Sequence, residues 1–238
     1  MSYSREEIEE LGENIIGRFL NTYNSLPERV DIEVFVTDFL DMKLVYETFA
    51  EKDMDRMAFT ANGKTPLRVL RNNIPEEIVF PARTVVLDSF LQSPNEESRR
   101  RFAIAHEAAH DIFDRDHGGT TEAHFYSAFD TQRTYSLNEL YERMCTCEWQ
   151  ANAMAAQFLM PKVLLEQTMM KIAKRTTLPI YGNSVLSQRA KGVISRMASV
   201  LGVSYKSLWI QLRSKNMFEH RDISEYMTRI LNLKGGTQ

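Results

Sequence analysis

The stretch RRFAIAHEAAH, residues 100–110, decides how this 238-residue chain is interpreted. It holds two histidines, His106 and His110, which are four positions apart and therefore lie one turn above each other on a helix. Two imidazoles in that arrangement can reach one zinc ion, and Glu107 then lies beside the ion, where a general base is needed. The alternative is an exposed, charged turn of an ordinary helix, so the surrounding sequence has to distinguish the two.

The flanking residues predict that this stretch is helical. SPNE at 93–96 combines an N-cap hydroxyl, a proline at the first helical position and a glutamate placed for a capping box, and HGG at 117–119 is a stop signal. Residues 118–135 are predicted to form a polar loop. A second long helix is predicted over 137–159, closed by Pro161.

A catalytic zinc ion takes three protein ligands, so the two histidines need a partner. Asp116 occupies the third-ligand position of one class of such sites, but Phe113 stands where that class has the glycine that lets the chain turn back. Glu148, with Asn152 one turn beyond it, fits the other class, in which a later helix supplies a glutamate. Other acids that could be the third ligand, or lie on a solvated face, are Glu122, Glu139 and Glu142.

Two segments carry a resemblance to a known family. EWQANAMAAQFLMP, residues 148–161, resembles the E-x-E-A-N-x-F-A-A-x-L-L-M-P segment of the ImmA/IrrE metallopeptidases, and residues 100–110 resemble that family's R-x-F-T-x-A-H-E-x-G-H. The similarity covers about residues 28–165. The chain departs from the family pattern at Ala103, Ala109, Asp114, Gln150 and Met154, and its separation of 38 positions between the last motif histidine, His110, and Glu148 is longer than in the family.

The resemblance implies a zinc ion held by His106, His110 and Glu148, with Glu107 as general base and Asn152 supporting a ligand. It implies a helix-rich, zincin-like α+β core with a small mixed or antiparallel sheet. It also implies a zinc endopeptidase that cleaves a specific repressor or antitoxin and thereby switches transcription.

The resemblance does not identify the group that would stabilise an oxyanion. The candidates are His117, His124, Tyr126 and Tyr141. For each of them, an ordinary surface or packing residue is the favoured interpretation. In peptidases of this class an extended substrate lies along a sheet edge, and residues 85–87 are the predicted edge strand.

Three segments are predicted: an amphipathic helix within residues 1–28 that packs on the core, a metallopeptidase domain over 29–175 and a basic helical domain over 176–238. A capping box at Ser4 opens the first helix.

Short apolar runs predict the strands of a small sheet. These runs lie at 44–46, 57–59, 67–70 and 84–87. The dipeptide Asn62-Gly63, between two of them, is predicted to be a hairpin turn.

Residues 193–212, VISRMASVLGVSYKSLWIQL, have the helix, glycine turn, serine cap and second helix of a helix-turn-helix. Residues 186–221 hold seven lysines and arginines against one acid. DNA binding is one interpretation, and a helical domain that packs on the peptidase and helps to hold its substrate is the favoured one. Candidate contacts to DNA or to a partner protein are Arg196, Lys206, Arg213 and Lys215.

Composition excludes several classes of protein. With 43% hydrophobic and 26% charged residues the chain is not mostly disordered. Its two cysteines, Cys145 and Cys147, are too close to build a disulfide framework, and no apolar run is long enough to span a bilayer. We therefore expect a soluble cytoplasmic protein. Two other functions remain open: a DNA-binding regulator with a structural or vestigial zinc site, and a protein that sequesters a repressor without cutting it.

Overall fold

The structure is a computed structural model and describes residues 3–50, 56–116, 124–127 and 146–234. It has the predicted α+β fold, with helices around small sheets. The chain divides into two compact units, Met1–Pro161 and Lys162–Gln238, so the second unit begins one helix before the predicted boundary at residue 176. None of the described helices has both the length and the apolar character needed to cross a membrane.

The described part of the first unit contains four helices and six strands. The helices are α1 (Arg5–Leu20), α2 (Ile32–Val34, continued by a π-helical turn over Phe35–Phe39), α3 (Glu97–Asp116) and α4 (Thr146–Leu159). The strands are β1 (Lys43–Glu47), β2 (Arg56–Ala61), β3 (Leu67–Arg71), β4 (Ile74–Ile78), β5 (Thr84–Asp88) and β6 (His124–Ser127).

Helix α1 begins at the predicted capping box. The Ser4 hydroxyl accepts the backbone N–H of Glu7 at 3.2 Å, and the Glu7 carboxylate accepts the backbone N–H of Ser4 at 2.7 Å. Further along, Gly12 lies against α4 so closely that a Cβ atom there would be 2.6 Å from the Cβ of Gln157. The missing side chain therefore lets α1 pack tightly on α4.

The main sheet has the strand order β1-β5-β2-β6. Strand β5 is parallel to β1 on one side and antiparallel to β2 on the other, so the prediction that residues 85–87 form the sheet edge is wrong. The physical reason is visible in the sequence: Val85, Val86 and Leu87 form an uninterrupted apolar run and are all fully buried, which is typical of a central strand.

Strand β6 pairs with the other side of β2 and is an edge of this sheet within the described residues. It lies inside the stretch 118–135 that was predicted to be a polar loop, so that prediction is wrong for His124–Ser127. The aromatic pair Phe125-Tyr126 favours a strand, and the surrounding polar residues hid this signal. The remainder of that stretch lies outside the described residues.

The predicted hairpin at Asn62-Gly63 is also wrong. Strands β2 and β3, on either side of it, do not pair with each other; the Asn62 side chain instead accepts the N–H groups of Lys64 and Thr65 in a local turn. The hairpin joins β3 to β4 through Asn72-Asn73, where both residues have positive φ, 53° and 63°. Asparagine tolerates this conformation, which two-residue hairpin turns of type I′ require.

Helix α3 begins at the predicted proline signal, after a short 3₁₀ turn over Pro94–Glu96, and it continues to Asp116. Its inner face carries small side chains that let α4 and β2 approach closely; the fully buried alanines are Ala103, Ala105, Ala108 and Ala109. Polar contacts fix the helix at both ends. The Arg101 guanidinium donates to the carbonyl of Val30 at 2.8 Å, and Arg83 lies 3.3 Å from the Asp111 carboxylate.

The second unit contains the predicted helix-turn-helix sequence. Its described elements are α5 (Lys162–Ala173), β7 (Leu178–Tyr181), α6 (Gln188–Leu201), α7 (Tyr205–Ser214), β8 (Phe218–Arg221) and α8 (Ile223–Lys234). Gly202 ends α6 in the left-handed conformation with φ 66°, and the Ser204 hydroxyl caps α7 by accepting the N–H of Ser207 at 3.0 Å. The helix, glycine turn, serine cap and second helix predicted from the sequence are all present.

Candidate metal centre

The two motif histidines lie on the buried face of α3. His106 is 0% exposed and His110 is 2% exposed, and their Nε2 atoms are 3.0 Å apart. This geometry follows from the helix, which places side chains four residues apart on one face. Two imidazole nitrogens therefore point to the same small volume inside the protein.

Glu148, in the first turn of α4, completes a triangle with the two histidines. Its Oε2 atom is 3.2 Å from Nε2 of His106 and its Oε1 atom is 3.2 Å from Nε2 of His110. The Glu148 side chain keeps 23% of its surface exposed, so it is less buried than the two histidines. The structure thus brings together the three residues that the sequence predicted as ligands.

These three side chains fit a zinc ion. A tetrahedral zinc ion with bonds of about 2.0–2.1 Å has its ligand atoms roughly 3.3 Å apart. The two nitrogens are 3.0 Å apart, and each lies 3.2 Å from one of the two Glu148 oxygens. Two imidazole nitrogens and one carboxylate oxygen are also the donor set of many catalytic zinc sites. His106, His110 and Glu148 are therefore a candidate metal site.

Asn152 contacts one of the candidate ligands. Its Oδ1 atom lies 3.1 Å from Nδ1 of His106. A carbonyl oxygen can only accept, so this contact places an N–H on Nδ1 of His106 and leaves Nε2 as the nitrogen that can ligate a metal. The amide is on α4, one turn beyond Glu148, so a single helix supplies both a candidate ligand and the support for another.

Glu107 is held by a residue that the sequence analysis did not identify. The hydroxyl of Thr60, on β2, donates a hydrogen bond to Oε2 of the fully buried Glu107 carboxylate. The same hydroxyl lies 3.3 Å from the Glu107 carbonyl oxygen. A lone threonine in an apolar strand carries no sequence signal for this role, since only the packing of α3 on β2 brings the two residues together.

The electrostatics of the centre favour cation binding. Burial by itself would raise the pKa of the Glu148 carboxyl. The hydrogen bonds from His106 and His110, together with the charge of these rings when protonated, have the larger effect in the opposite direction. The pKa of Glu148 is therefore well below its ordinary value. Burial lowers the pKa of His110, and its contact with Glu148 only partly opposes this effect. At neutral pH the centre therefore presents an ionised carboxylate beside a neutral His110 ring, the forms that ligate a metal.

The other predicted site residues are placed as follows. His117 and Tyr141 lie outside the described residues, as do the alternative ligands Glu122, Glu139 and Glu142. On edge strand β6, His124 is the register partner of Thr60 and Tyr126 is the register partner of Ala58. Asp116 is the last residue of α3, which does not turn back after Phe113. Arg196, Lys206, Arg213 and Lys215 belong to the second unit.

The chain was compared with known protein families and with curated proteins. No model of a known protein family matches the chain, and no curated protein is similar to it.

Proposed function

We propose that this chain is a zinc-dependent endopeptidase that resembles the ImmA/IrrE family and cleaves a specific regulatory protein. One observation carries the proposal: the Nε2 atoms of two buried histidines on α3 lie 3.0 Å apart, and each is 3.2 Å from an oxygen of the Glu148 carboxylate on α4. Helix α3 also presents a buried glutamate, Glu107, next to the first histidine. A structural zinc site would be closed by a fourth protein ligand and would not require this glutamate.

Each residue of the centre has a defined part in the proposed reaction. His106, His110 and Glu148 would hold the zinc ion, and Asn152 would keep His106 in the tautomer that ligates. When bound, zinc polarises the scissile carbonyl and brings the pKa of a water molecule down to about 7. Glu107 would accept the proton of that water and pass it to the leaving amine, and Thr60 would hold the Glu107 carboxylate in position for both transfers.

The sheet supplies a place for an extended peptide. Within the described residues β6 pairs on one side only, with β2, and β2 carries Thr60. A substrate strand that adds to this edge would be recognised through backbone hydrogen bonds, as in other cases of strand addition. Residues 124–127 therefore replace residues 85–87 as the proposed substrate edge.

The narrow substrate range is proposed from the family resemblance, and it makes a regulatory DNA-binding protein the expected target. Cleavage of a repressor or antitoxin would switch transcription. A chain that bound such a protein without cutting it would instead act by sequestration, and the experiment below distinguishes the two.

The test combines metal analysis with mapping of cleavage sites. The purified chain, loaded with one equivalent of Zn²⁺, is incubated with extract of its host cells, and new protein N termini are identified by mass spectrometry. Wild type should generate a small set of new termini, whereas Glu107→Gln should bind zinc equally and generate none. Identical termini from both proteins would refute Glu107 as the base, and a co-purifying but intact regulator would support sequestration.

A second measurement tests the ligands. Glu148→Ala and His110→Ala should each lose stoichiometric zinc, because two remaining ligands do not hold the ion tightly. If Glu148→Ala keeps a full equivalent, another residue completes the site and the proposed ligand set is wrong.

A further inference from the structure

The two units carry opposite charge. Met1–Pro161 contains sixteen lysines and arginines against twenty-eight acids, a formal charge of −12, whereas Lys162–Gln238 contains thirteen against four, a formal charge of +9. The overall charge of −3 conceals this difference. A small unit with so large an excess of cations favours a polyanionic partner.

The excess is concentrated on the helix-turn-helix. From Asn183 to Phe218 the sequence contains six lysines and arginines and no aspartate or glutamate. This stretch includes all of α6 and α7 and the turn between them. The cations of this segment are Arg189, Lys191, Arg196, Lys206, Arg213 and Lys215.

Helix α7 displays its cations on one exposed stripe. Lys206, Ile210 and Arg213 are spaced at i, i+4 and i+7, so they lie on the same face, and all three are exposed, Ile210 at 51%. The opposite face is buried through Leu208 and Leu212. The Arg213 guanidinium lies 5.6 Å from the centroid of the Trp209 ring, which supports it beside the stripe.

These cations differ from those of the first unit in their partners. Arg29, Arg71 and Arg99 each form an ion pair of 2.7–2.8 Å with a glutamate. Among the residues the structure describes, no ion pair involves Lys206 or Arg213. The charge of Lys206 and Arg213 is therefore available to an external anion, whereas the charges of Arg29, Arg71 and Arg99 are paired within the first unit.

We propose that the second unit binds double-stranded DNA, with α7 in the major groove. The groove admits one α-helix, and the exposed stripe offers it two cations for phosphates or guanine edges and, in Ile210, an apolar side chain for a thymine methyl group. The cations of α6 lie on the exposed face of that helix and contact the phosphate backbone. An acid-free surface across two helices suits the uniform negative charge of a duplex better than the mixed charges of a protein.

Fluorescence anisotropy of the full chain with a labelled duplex of about 24 base pairs and mixed sequence tests this proposal. Binding should be measurable at about 50 mM salt and should weaken steeply toward about 200 mM, because each neutralised phosphate contributes a slope of about −0.9 to the plot of log K against log salt concentration. Glu107→Gln should bind equally, so this result is independent of peptidase activity.

The decisive variant is Lys206→Glu/Arg213→Glu, which should bind the duplex at least tenfold more weakly and reduce the salt slope by about 2. The matched control is Lys64→Glu/Arg68→Glu, which changes the net charge equally at two exposed positions of the first unit and should leave affinity within twofold. Circular dichroism of both variants checks that α6 and α7 remain folded.

Three results would overturn the proposal. The first is no duplex binding by wild type at low salt, and the second is equal weakening in the two double variants. The third is displacement of the duplex by poly-L-glutamate as effectively as by unlabelled duplex at matched charge, which would assign the surface to an acidic protein.

Discussion

The hydroxyl of Thr60 on β2 donates a hydrogen bond to the carboxylate of Glu107 on α3, although the two residues are 47 positions apart in sequence. This contact joins the sheet to the helical turn that carries the two candidate metal ligands. Strand β2 also pairs with β6, the proposed substrate edge. Strand β2 therefore positions both the proposed base, Glu107, and strand β6, along which a peptide would bind.

Thr60→Val should lower kcat by about 10- to 100-fold, because a hydrogen bond to a charged group contributes about 1.5–3 kcal/mol and valine cannot donate one. KM and zinc content should be unchanged, since Thr60 is not a ligand. The measurement is steady-state kinetics on a peptide that contains the mapped cleavage site, with zinc quantified in the same preparation.

Thr60→Ser is the control for that substitution. Serine retains the donor and removes only a methyl group, so its kcat should remain within a few-fold of wild type. A loss in Thr60→Ser as large as that in Thr60→Val would assign the effect to packing of β2 against α3, and an unchanged kcat in Thr60→Val would show that the hydrogen bond does not position the base.

Asn152→Ala should weaken zinc binding by about 10- to 100-fold without removing a ligand, because the Nδ1 proton of His106 loses its acceptor and the ring is no longer fixed in the ligating orientation. Competition with a chromogenic chelator measures the affinity. Asn14→Ala, at an exposed position on α1, is the matched control and should bind zinc like wild type. Equal affinities for Asn152→Ala and wild type would argue against the supporting role.

Acid should destabilise the metal-free protein through Glu148. Its folded-state pKa is below the ordinary value of 4.5, so the stability it contributes is fully present above pH 4.5 and is lost as the pH falls toward the folded-state pKa. Thermal unfolding in the presence of chelator, followed from pH 7 to about pH 3, should therefore show a steeper loss of Tm for wild type than for Glu148→Gln. Parallel curves would mean that the carboxylate is not stabilised by the histidines.

Gly12→Ala should destabilise the first unit by about 1–3 kcal/mol, because the new methyl group would lie 2.6 Å from Gln157 Cβ and force α1 away from α4. Gly17→Ala on the same helix is the control. No atom lies within 4 Å of its added Cβ, and replacing a helical glycine stabilises by up to about 1 kcal/mol. Chemical denaturation measures both, and equal stabilities would contradict the close contact between the helices.

Local signals allowed much of the fold to be predicted. The capping box at Ser4, the proline start of α3 and the glycine turn between α6 and α7 depend on residues within a few positions of one another, and all are present. The side-chain spacing of a helix likewise placed His106 and His110 together. Interactions of this range are encoded in short segments, so a sequence can reveal them without knowledge of the tertiary structure.

Strand pairing could not be predicted in the same way. The Asn62-Gly63 dipeptide has the composition of a hairpin turn, yet the hairpin forms at Asn72-Asn73 because β2 is paired with β5 and β6 instead. The sheet edge could not be predicted either: β5, which was expected at the edge, is a central strand, and β6 is an edge strand instead. Which strands become neighbours depends on the burial of whole faces against α3 and against the core, and this is a property of the complete sheet.

The sequence by itself determined that this chain places two histidines and a glutamate on one helical turn, with a second helix able to supply Glu148 and Asn152, since these placements follow from helix periodicity. Only the tertiary structure decided that the Glu148 carboxylate lies 3.2 Å from both imidazole rings and that Thr60 holds Glu107. The reason is physical: periodicity is set by local backbone geometry, whereas contacts between α3, α4 and β2 form only when their apolar faces are buried together.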